Sequence, residues 1–226
     1  VRLLHLDHDP WELRKNYPTE VALCGGLKPG LAELTQLLDE QLIPAQQQEI
    51  GQRRSRRESL HAGNRSSLET QAAAELDRRP LTSLALMSSI AAALPPDVAV
   101  VEEAVTTTNT YLERLGAITD PTGYFGHRGW GLGWGLNCAI GVQLAWPDRP
   151  VLGVIGEGAS MYGIQGLWTA ARYNIPVTFV IPNNAQYQIL KVGARGIGLP
   201  NAAEEQFVGM DLVEPEVDLV ALAGSL

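Results

Sequence analysis

A carboxylate and a pair of amides close the two ends of one short stretch of this chain, and together they suit a hard cation. Glu157 sits in Gly156-Glu157-Gly158, directly after the apolar run Val151 to Ile155. Asn183-Asn184 follows Pro182, directly after the apolar run Val177 to Ile181. Mg2+ takes oxygen ligands in an octahedral array and shares its shell with water and phosphate. Glu157 offers a carboxylate, Asn184 an amide oxygen, and the turn beyond it the backbone carbonyl of Gln186. Gly158 removes a Cβ where a phosphate must come close, and a helix starting nearby turns free N–H groups toward an anion. Taken singly, Gly-Glu-Gly is a strand-to-helix turn and Asn-Asn a turn pair. Taken together at this spacing, they describe a metal-bridged diphosphate site.

The elements that must hold these groups follow from the pattern around them. Two β-branched runs flank Tyr162 to Tyr173, which has the composition of an amphipathic helix, so the stretch predicts two parallel strands joined by a crossover. Ligands of such sheets gather outside the carboxyl ends of the strands. Upstream, Leu81 to Leu94 predicts a helix stopped by Pro95-Pro96, and Val98 to Val101 a buried strand. Thr106 and Thr107 stand just past that strand, where a hydroxyl either meets a diphosphate or caps a helix starting near Tyr111. Asn137 to Trp146 predicts a further helix, and Tyr187 to Val192 the start of another.

Gly129, Gly131, Gly133 and Gly135 alternate within Tyr124 to Gly141, a density that suits close approach to a flat ligand or to another chain. A dinucleotide loop is the rival reading. It asks for an apolar strand before the glycines and an acidic residue after a second strand, and neither is evident; at Gly156 the third glycine position is Met161.

The first part of the chain is also α/β. Val1 to Leu6 and Glu20 to Cys24 predict strands, Trp11 to Tyr17 a short helix, and Lys28 to Leu42 an amphipathic helix carrying Leu31, Leu34 and Leu38. Gln46 to Arg79 is polar and reads as a linker with helical pieces. Gly193 to Glu216 is punctuated by glycine and proline, as a lid or a connection would be.

Composition bounds the rest. Of 226 residues, 45% are hydrophobic, enough for one domain and part of another. A net charge of −8 argues against a nucleic-acid partner, despite the short run Arg53-Arg54-Ser55-Arg56-Arg57. No apolar run is long enough for a membrane span. Cys24 and Cys138 are too few and too far apart for a disulfide framework or a zinc pattern, so a reducing cytoplasm is the expectation. The chain opens on Val1 in a strand-like run and closes on the apolar segment Val217 to Leu226, which reads as a piece cut at both ends.

Gly156-Glu157-Gly158, an intervening helix and Asn183-Asn184 resemble the thiamine diphosphate motif of the decarboxylase and acetolactate synthase superfamily. That family usually has Asp where this chain has Glu157. The piece LWTAARYNIPVTFVIPNN, Leu167 to Asn184, looks most like benzoylformate decarboxylase and its relatives. The likeness is strongest from Gly123 to Leu190 and extends more weakly over the first half. It implies a parallel α/β sheet with helices on both faces, preceded by the tail of a Rossmann-like central domain. The divisions would be 1–45 for that tail, 46–80 for a linker and 81–226 for a diphosphate-binding domain truncated at its C-terminus.

The resemblance further implies thiamine diphosphate and Mg2+ as cofactors. The metal would fall to Glu157, Asn184 and Gln186. Cofactor contacts would fall to Thr106, Trp130, Gly131, Leu132, Gly156, Gly158, Ala159, Asn184 and Tyr187. Among these the Trp130 carbonyl accepts from the aminopyrimidine, and Leu132 props the cofactor in its bent form. His127 and Ile189 would face the substrate, a 2-oxo acid, although a lone histidine is more often structural; for Leu190 core packing is preferred. The implied reaction is decarboxylation or carboligation of benzoylformate type. An acetolactate synthase-type transfer stands second, and a cofactor-binding piece without activity of its own is a further alternative, as is a Rossmann-type dehydrogenase. The glutamate that activates the cofactor lies, in that family, on a separate N-terminal domain, usually of a neighbouring subunit. No catalytic residue is therefore assigned in this chain, neither Glu102 nor Glu103 is given that role, and a homodimer or homotetramer is implied.

Overall fold

The computed structural model describes residues 2–126, 129 and 131–226. These divide into two units, and the division falls between Ala62 and Gly63. In the first unit, β1 (Leu4–Asp7) and β2 (Val21–Cys24) pair in parallel with Leu4 opposite Val21. Helix α1 (Leu27–Gln41) follows directly on Gly25-Gly26. It packs close to β1 at Gly30, where a Cβ would lie 2.9 Å from Leu6 Cδ2. The leucines at helical spacing do lie on this helix, yet Leu31, Leu34 and Leu38 are all exposed.

The helix predicted over Trp11 to Tyr17 does not form; the segment is a series of turns. Side chains compete for the backbone here. The Asp7 carboxylate accepts from Asp9 N and the Asp9 carboxylate from Trp11 N, each at 2.9 Å. Such Asx turns offer the N–H groups an alternative to a helix, and Arg14 is left-handed with φ 63°.

Helix α2 (Pro44–Glu75) is one uninterrupted helix where separate helical pieces were expected. Its Gln, Arg, Glu and Ala content sustains a helix without a large apolar face. Its buried residues, Leu68 and Ala72, pack with Leu84 against Tyr111 and Leu115.

The second unit is built on a four-stranded parallel sheet, with α3 (Ser83–Ala93) leading into its first strand. Thr82 caps α3, its hydroxyl accepting from Ala85 N at 3.1 Å. Strand β3 (Ala99–Glu103) runs into two single turns of helix, α4 (Val105–Thr108) and α5 (Tyr111–Arg114). The left-handed residues Asn109 and Thr110 separate them. Next come β4 (Tyr124–Gly126), α6 (Gly135–Ala145), β5 (Val151–Ile155), α7 (Glu157–Ser160), α8 (Gly166–Arg172) and β6 (Val177–Val180). The chain then continues through α9 (Gln188–Gly196), α10 (Pro200–Ala203) and α11 (Leu219–Gly224).

The strand order is β4-β3-β5-β6, with Val100 opposite Tyr124, Ala99 opposite Val151 and Val151 opposite Val177. Every residue of β3 and β5 is buried, as expected of central parallel strands; β5 is apolar throughout, whereas β3 ends on Glu102 and Glu103. Alternate residues feed two apolar layers. Val100, Leu152 and Val154 face Met87 of α3 and Leu112, while Ala99, Val101 and Val151 face Ala139 and Val142 of α6. Helices therefore cover both faces, as an α/β fold demands. No helix among the described residues is long and apolar enough to cross a membrane.

Two sequence expectations change here. The glycine-rich run does follow a strand: β4 has only three residues, too few for an alternation to register. The crossover helix predicted from Tyr162 starts instead at Gly166, after the separate turn α7. Crowding between the two is severe, since a Cβ on Gly163 would lie 2.5 Å from Asn137 Nδ2.

Met87 is fully buried in the α3 layer, whereas Leu144 on α6 is exposed. Met87→Ala is expected to cost about 2–5 kcal/mol, and Leu144→Ala to stay within about 0.5 kcal/mol. Urea unfolding midpoints at constant m-value check both.

Candidate functional site

Three strand ends and the loops that leave them form one cleft in the second unit. The segments after β3, β5 and β6 are Ala104 to Thr107, Gly156 to Ala159, and Pro182 to Gln186. Residues from all three line the cleft, together with Leu132 and the start of α9. Backbone hydrogen bonds continue past the strands and keep these segments level. Gly156 N donates to Glu103 O at 3.2 Å, and Glu157 N to Pro182 O at 3.4 Å.

Thr106, Leu132, Gly156, Glu157, Gly158, Ala159, Asn184, Gln186, Tyr187 and Ile189 all line this cleft. Gly131 is exposed and is not among the lining residues. His127 and Trp130 lie outside the described residues. The capping alternative for Thr106 is removed: the residue before α5 is Thr110, and Thr106 lies within α4. Gly158 gives room to a side chain of this chain, since a Cβ there would lie 2.8 Å from Tyr187 Cε1. The helix beginning beside the cleft is α7, not one from Tyr162.

Glu157 and Asn184 meet at one donor. The backbone N–H of Gln186 lies 3.2 Å from Glu157 Oε1 and 3.1 Å from Asn184 Oδ1. The two oxygens therefore face the same point, within two hydrogen-bond lengths of each other. The Gln186 carbonyl accepts from Gln188 N at 3.0 Å and, like any carbonyl, has a second lone pair. Asn183 has a different task. Its Oδ1 accepts from Ala185 N at 2.9 Å and its Nδ2 donates to Glu216 at 3.0 Å, so it shapes the turn.

Glu157 is 9% exposed, and among the described residues no Lys, Arg or His side chain pairs with it. A buried carboxylate without a counter-charge is costly. Among the described residues its side chain has one hydrogen-bond partner, the shared Gln186 N–H. The described residues hold no cluster of three or more His, Cys, Asp and Glu side chains arranged for a metal. A transition-metal centre needs such a cluster; a Mg2+ ion that draws most of its shell from phosphate and water does not. One carboxylate, one amide oxygen and one carbonyl are oxygens of the kind a hard cation takes.

Two other acidic groups near the strand ends are already engaged. The Tyr124 hydroxyl donates to Glu102, and burial, then this carboxylate, pushes the Tyr124 pKa well above the usual phenol range. Glu103 is 1% exposed and accepts from Gly133 N and Gly135 N, each at 2.9 Å. The Cys138 thiol, one turn into α6, is pushed up by burial and then by the Glu103 charge.

A latch behind the cleft was not legible in the sequence. Gln186 and Asp211 form an antiparallel bridge, with Leu212 N donating to Ala185 O at 2.7 Å and Tyr187 N to Met210 O at 2.8 Å. Buried Lys191 completes it, donating to Gln186 Oε1 at 2.6 Å and Asp211 Oδ1 at 2.5 Å. The segment read as a lid or a connection is thus, around Asp211, part of the wall that holds the Gln186 loop. No periodicity marks a two-residue bridge. The only sequence signal is a lysine on an otherwise apolar stretch of α9.

A family model described as "Thiamine pyrophosphate enzyme, C-terminal TPP binding domain" matches residues 104–226. Benzoylformate decarboxylase of Pseudomonas aeruginosa is 37% identical over 144 residues, which cover 64% of this chain and 26% of that protein. The acetolactate synthase large subunit of Parasynechococcus marenigrum is 28% identical over 235 residues, covering 100% of this chain and 34% of that one. Among solved structures, the thiamine diphosphate-dependent 4-hydroxybenzoylformate decarboxylase of Rhodococcus jostii matches with a TM-score of 0.55 at 34% identity, over 64% of this chain and 26% of its own. A thiamin diphosphate-dependent enzyme from Mycobacterium smegmatis gives 0.65 at 24% identity over 100% of this chain and 37% of its own, a likeness of fold. The chain spans between 26% and 34% of the length of these curated relatives.

Ala185, between Asn184 and Gln186, is held left-handed at φ 54°. That conformation costs an L-residue about 1–2 kcal/mol, while glycine there frees the unfolded chain by about 0.4–1 kcal/mol. Ala185→Gly is therefore expected to stabilise the protein by several tenths to about 1 kcal/mol. Thermal unfolding measures it; a loss of stability would mean the loop is not strained at this residue.

Proposed function

We propose, since this chain belongs to the thiamine pyrophosphate enzyme family through its C-terminal TPP binding domain, that the cleft holds the diphosphate of thiamine diphosphate through Mg2+. The observation that carries this is the buried Glu157 carboxylate, which shares the Gln186 N–H with the Asn184 amide and has no cationic side chain beside it among the described residues. Glu157, Asn184 and the Gln186 carbonyl would hold the metal. Thr106 would donate to the diphosphate, with Gly156, Gly158 and Ala159 giving close approach. Leu132 and Tyr187 would bound the rings, and Ile189, exposed at the rim, would face the substrate. Gly131, His127 and Trp130 complete the proposed site on the strength of the resemblance alone.

When bound, thiamine diphosphate would supply a thiazolium carbon acidic enough to give up its proton and add to the carbonyl of a 2-oxo acid, and a ring able to take up the electron pair left when carbon dioxide departs. The chain's own contribution is position and charge. Glu157 and Asn184 fix the metal end, the segments after β3 and β5 fix the diphosphate, and the latch at Lys191 and Asp211 holds the Gln186 loop in place. Glu102 and Glu103 are committed to Tyr124 and to the glycine loop, so we assign neither as a base.

The substrate class we propose is a small 2-oxo acid, and the reaction a decarboxylation or carboligation of benzoylformate type. The 37% identity to a benzoylformate decarboxylase supports this. The alignment of an acetolactate synthase large subunit over the whole chain supports a transferase as second reading. A cofactor-binding piece with no activity of its own is the third. With these go a central-domain tail over 1–45, a connector over 46–80 and a cofactor domain from 81 onward. They also imply a homodimer or homotetramer and a reducing cytoplasm, in keeping with the free thiols of Cys24 and Cys138.

Thiamine diphosphate with Mg2+ is expected to raise the unfolding temperature, as any ligand of the native state does, and a chelator to cancel the rise. A rise with NAD and none with thiamine diphosphate would replace this reading by a dehydrogenase. Glu157→Gln is expected to weaken the Mg2+-dependent shift by at least about tenfold in concentration, the scale seen even for partners outside the first coordination shell. Glu157→Asp, which keeps the charge, should retain it. Asn184→Leu should abolish metal dependence, while Asn183→Leu should lower stability with the metal dependence intact. Equal behaviour of the two asparagine variants would refute the division of labour between them.

A further inference from the structure

We propose that Glu103 is the positioning residue of the glycine loop, its carboxylate setting where Leu132 stands over the cleft. This rests on the reading of the cleft as a thiamine diphosphate site. Glu103 ends β3 and is 1% exposed. Its two oxygens are used separately: Oε1 accepts from Gly133 N and Oε2 from Gly135 N, both at 2.9 Å. Leu132 precedes the first of these donors and lines the cleft beside Glu103 itself.

The loop is shaped to receive this carboxylate. A Cβ on Gly135 would lie 2.7 Å from Glu103 Cβ and 2.8 Å from Glu103 Oε2, so only glycine permits the approach. Gly135 is also the first residue of α6, and the residue before it, Trp134, makes no side-chain cap. A carboxylate from another element thus does the work of the missing cap, satisfying free N–H groups and meeting the positive end of the helix dipole. The Glu103 carbonyl meanwhile accepts from Gly156 N at 3.2 Å. One residue therefore ties the glycine loop to two strand ends.

The metal end of the cleft uses neither of the two bonds to the Glu103 carboxylate, and a change of side chain leaves the backbone bond to Gly156 in place. It is assembled from Glu157, Asn184 and Gln186. Loosening Glu103 should then act on one end of a bound molecule and not on the other. Glutamine at this position has one acceptor oxygen and turns an NH2 toward an N–H, so one of the two loop donors is orphaned.

The test compares two probes on the whole chain: Mg2+ with thiamine diphosphate, and Mg2+ with inorganic pyrophosphate, which engages the metal end alone. Glu103→Gln is expected to weaken thiamine diphosphate by about tenfold or more, the scale of an orphaned buried N–H, and to leave pyrophosphate within about twofold. Gly135→Ala pushes on the same carboxylate from the other side and should show the same split. It carries the test should Glu103→Gln fail to fold. Equal loss of both probes in a folded variant reduces Glu103 to a structural residue, and no loss of either removes it from the site; both results overturn the proposal. A wild-type chain that binds neither probe sinks the parent reading, and this one with it.

Discussion

Two backbone hydrogen bonds that continue the sheet one step past its strands set the geometry on which the cleft depends. Gly156 N donates to Glu103 O and Glu157 N to Pro182 O. Parallel strands end at one edge, but they do not by themselves keep their departing loops level. Here the ladder runs on for a residue after β5 on either side. The turn that carries Glu157 is thereby fixed against the end of β3 and the loop after β6. Side chains parted by long stretches of sequence can then meet over hydrogen-bond distances. Glu157 and Asn184 meet at the Gln186 N–H, and Glu103 meets the loop before α6.

The electrostatics of this edge are lopsided. Glu102, Glu103 and Glu157 are all buried at the carboxyl ends of adjacent strands, in a chain that already carries a net charge of −8. Burial of an unpaired ion costs several kcal/mol even after relaxation, so each carboxylate must be accounted for. Glu103 has two backbone donors at the start of a helix, and Glu102 has a phenol. Glu157 has one N–H, and it shares that with an amide oxygen. The deficit is therefore concentrated at the position where a cation would be most useful. Buried Lys191 does not relieve it, because its ammonium is taken by Gln186 and Asp211.

How much of this was legible follows the length scale of each feature. The central strands were readable because burial on both faces leaves an unbroken apolar run, as in Val151 to Ile155. The pairing of Glu157 with Asn184 was readable because two strand ends of a parallel sheet must lie side by side. Short or compensated features were not. β4 is three residues long, and α7 is a single turn hidden in what reads as one crossover helix. Trp11 to Tyr17 has helix-forming residues, but Asp7 and Asp9 capture the backbone first. α2 runs on through a polar stretch because intrinsic propensity, without an apolar face, suffices to write it. The latch of Lys191 and Asp211 joins residues twenty positions apart through a bridge too small to leave a pattern. The roles placed on His127 and Trp130 lie outside the described residues.

Glu157 is one methylene longer than an aspartate would be. The resembling family usually has the shorter aspartate here. With glutamate at the first position of α7, the carboxylate extends from the end of β5 to the N–H of Gln186, two residues beyond Asn184. The target of that reach is not free to drift. Ala185 before it is held left-handed, Asn183 closes the turn through Ala185 N, and the bridge to Asp211 pins Gln186 from behind. A longer side chain ordinarily loses precision because it adds a rotatable bond and the entropy that goes with it. Here the receiving loop supplies the rigidity that the longer side chain gives up. The loop that receives the longer carboxylate is thus pinned at Asn183, Ala185 and Gln186.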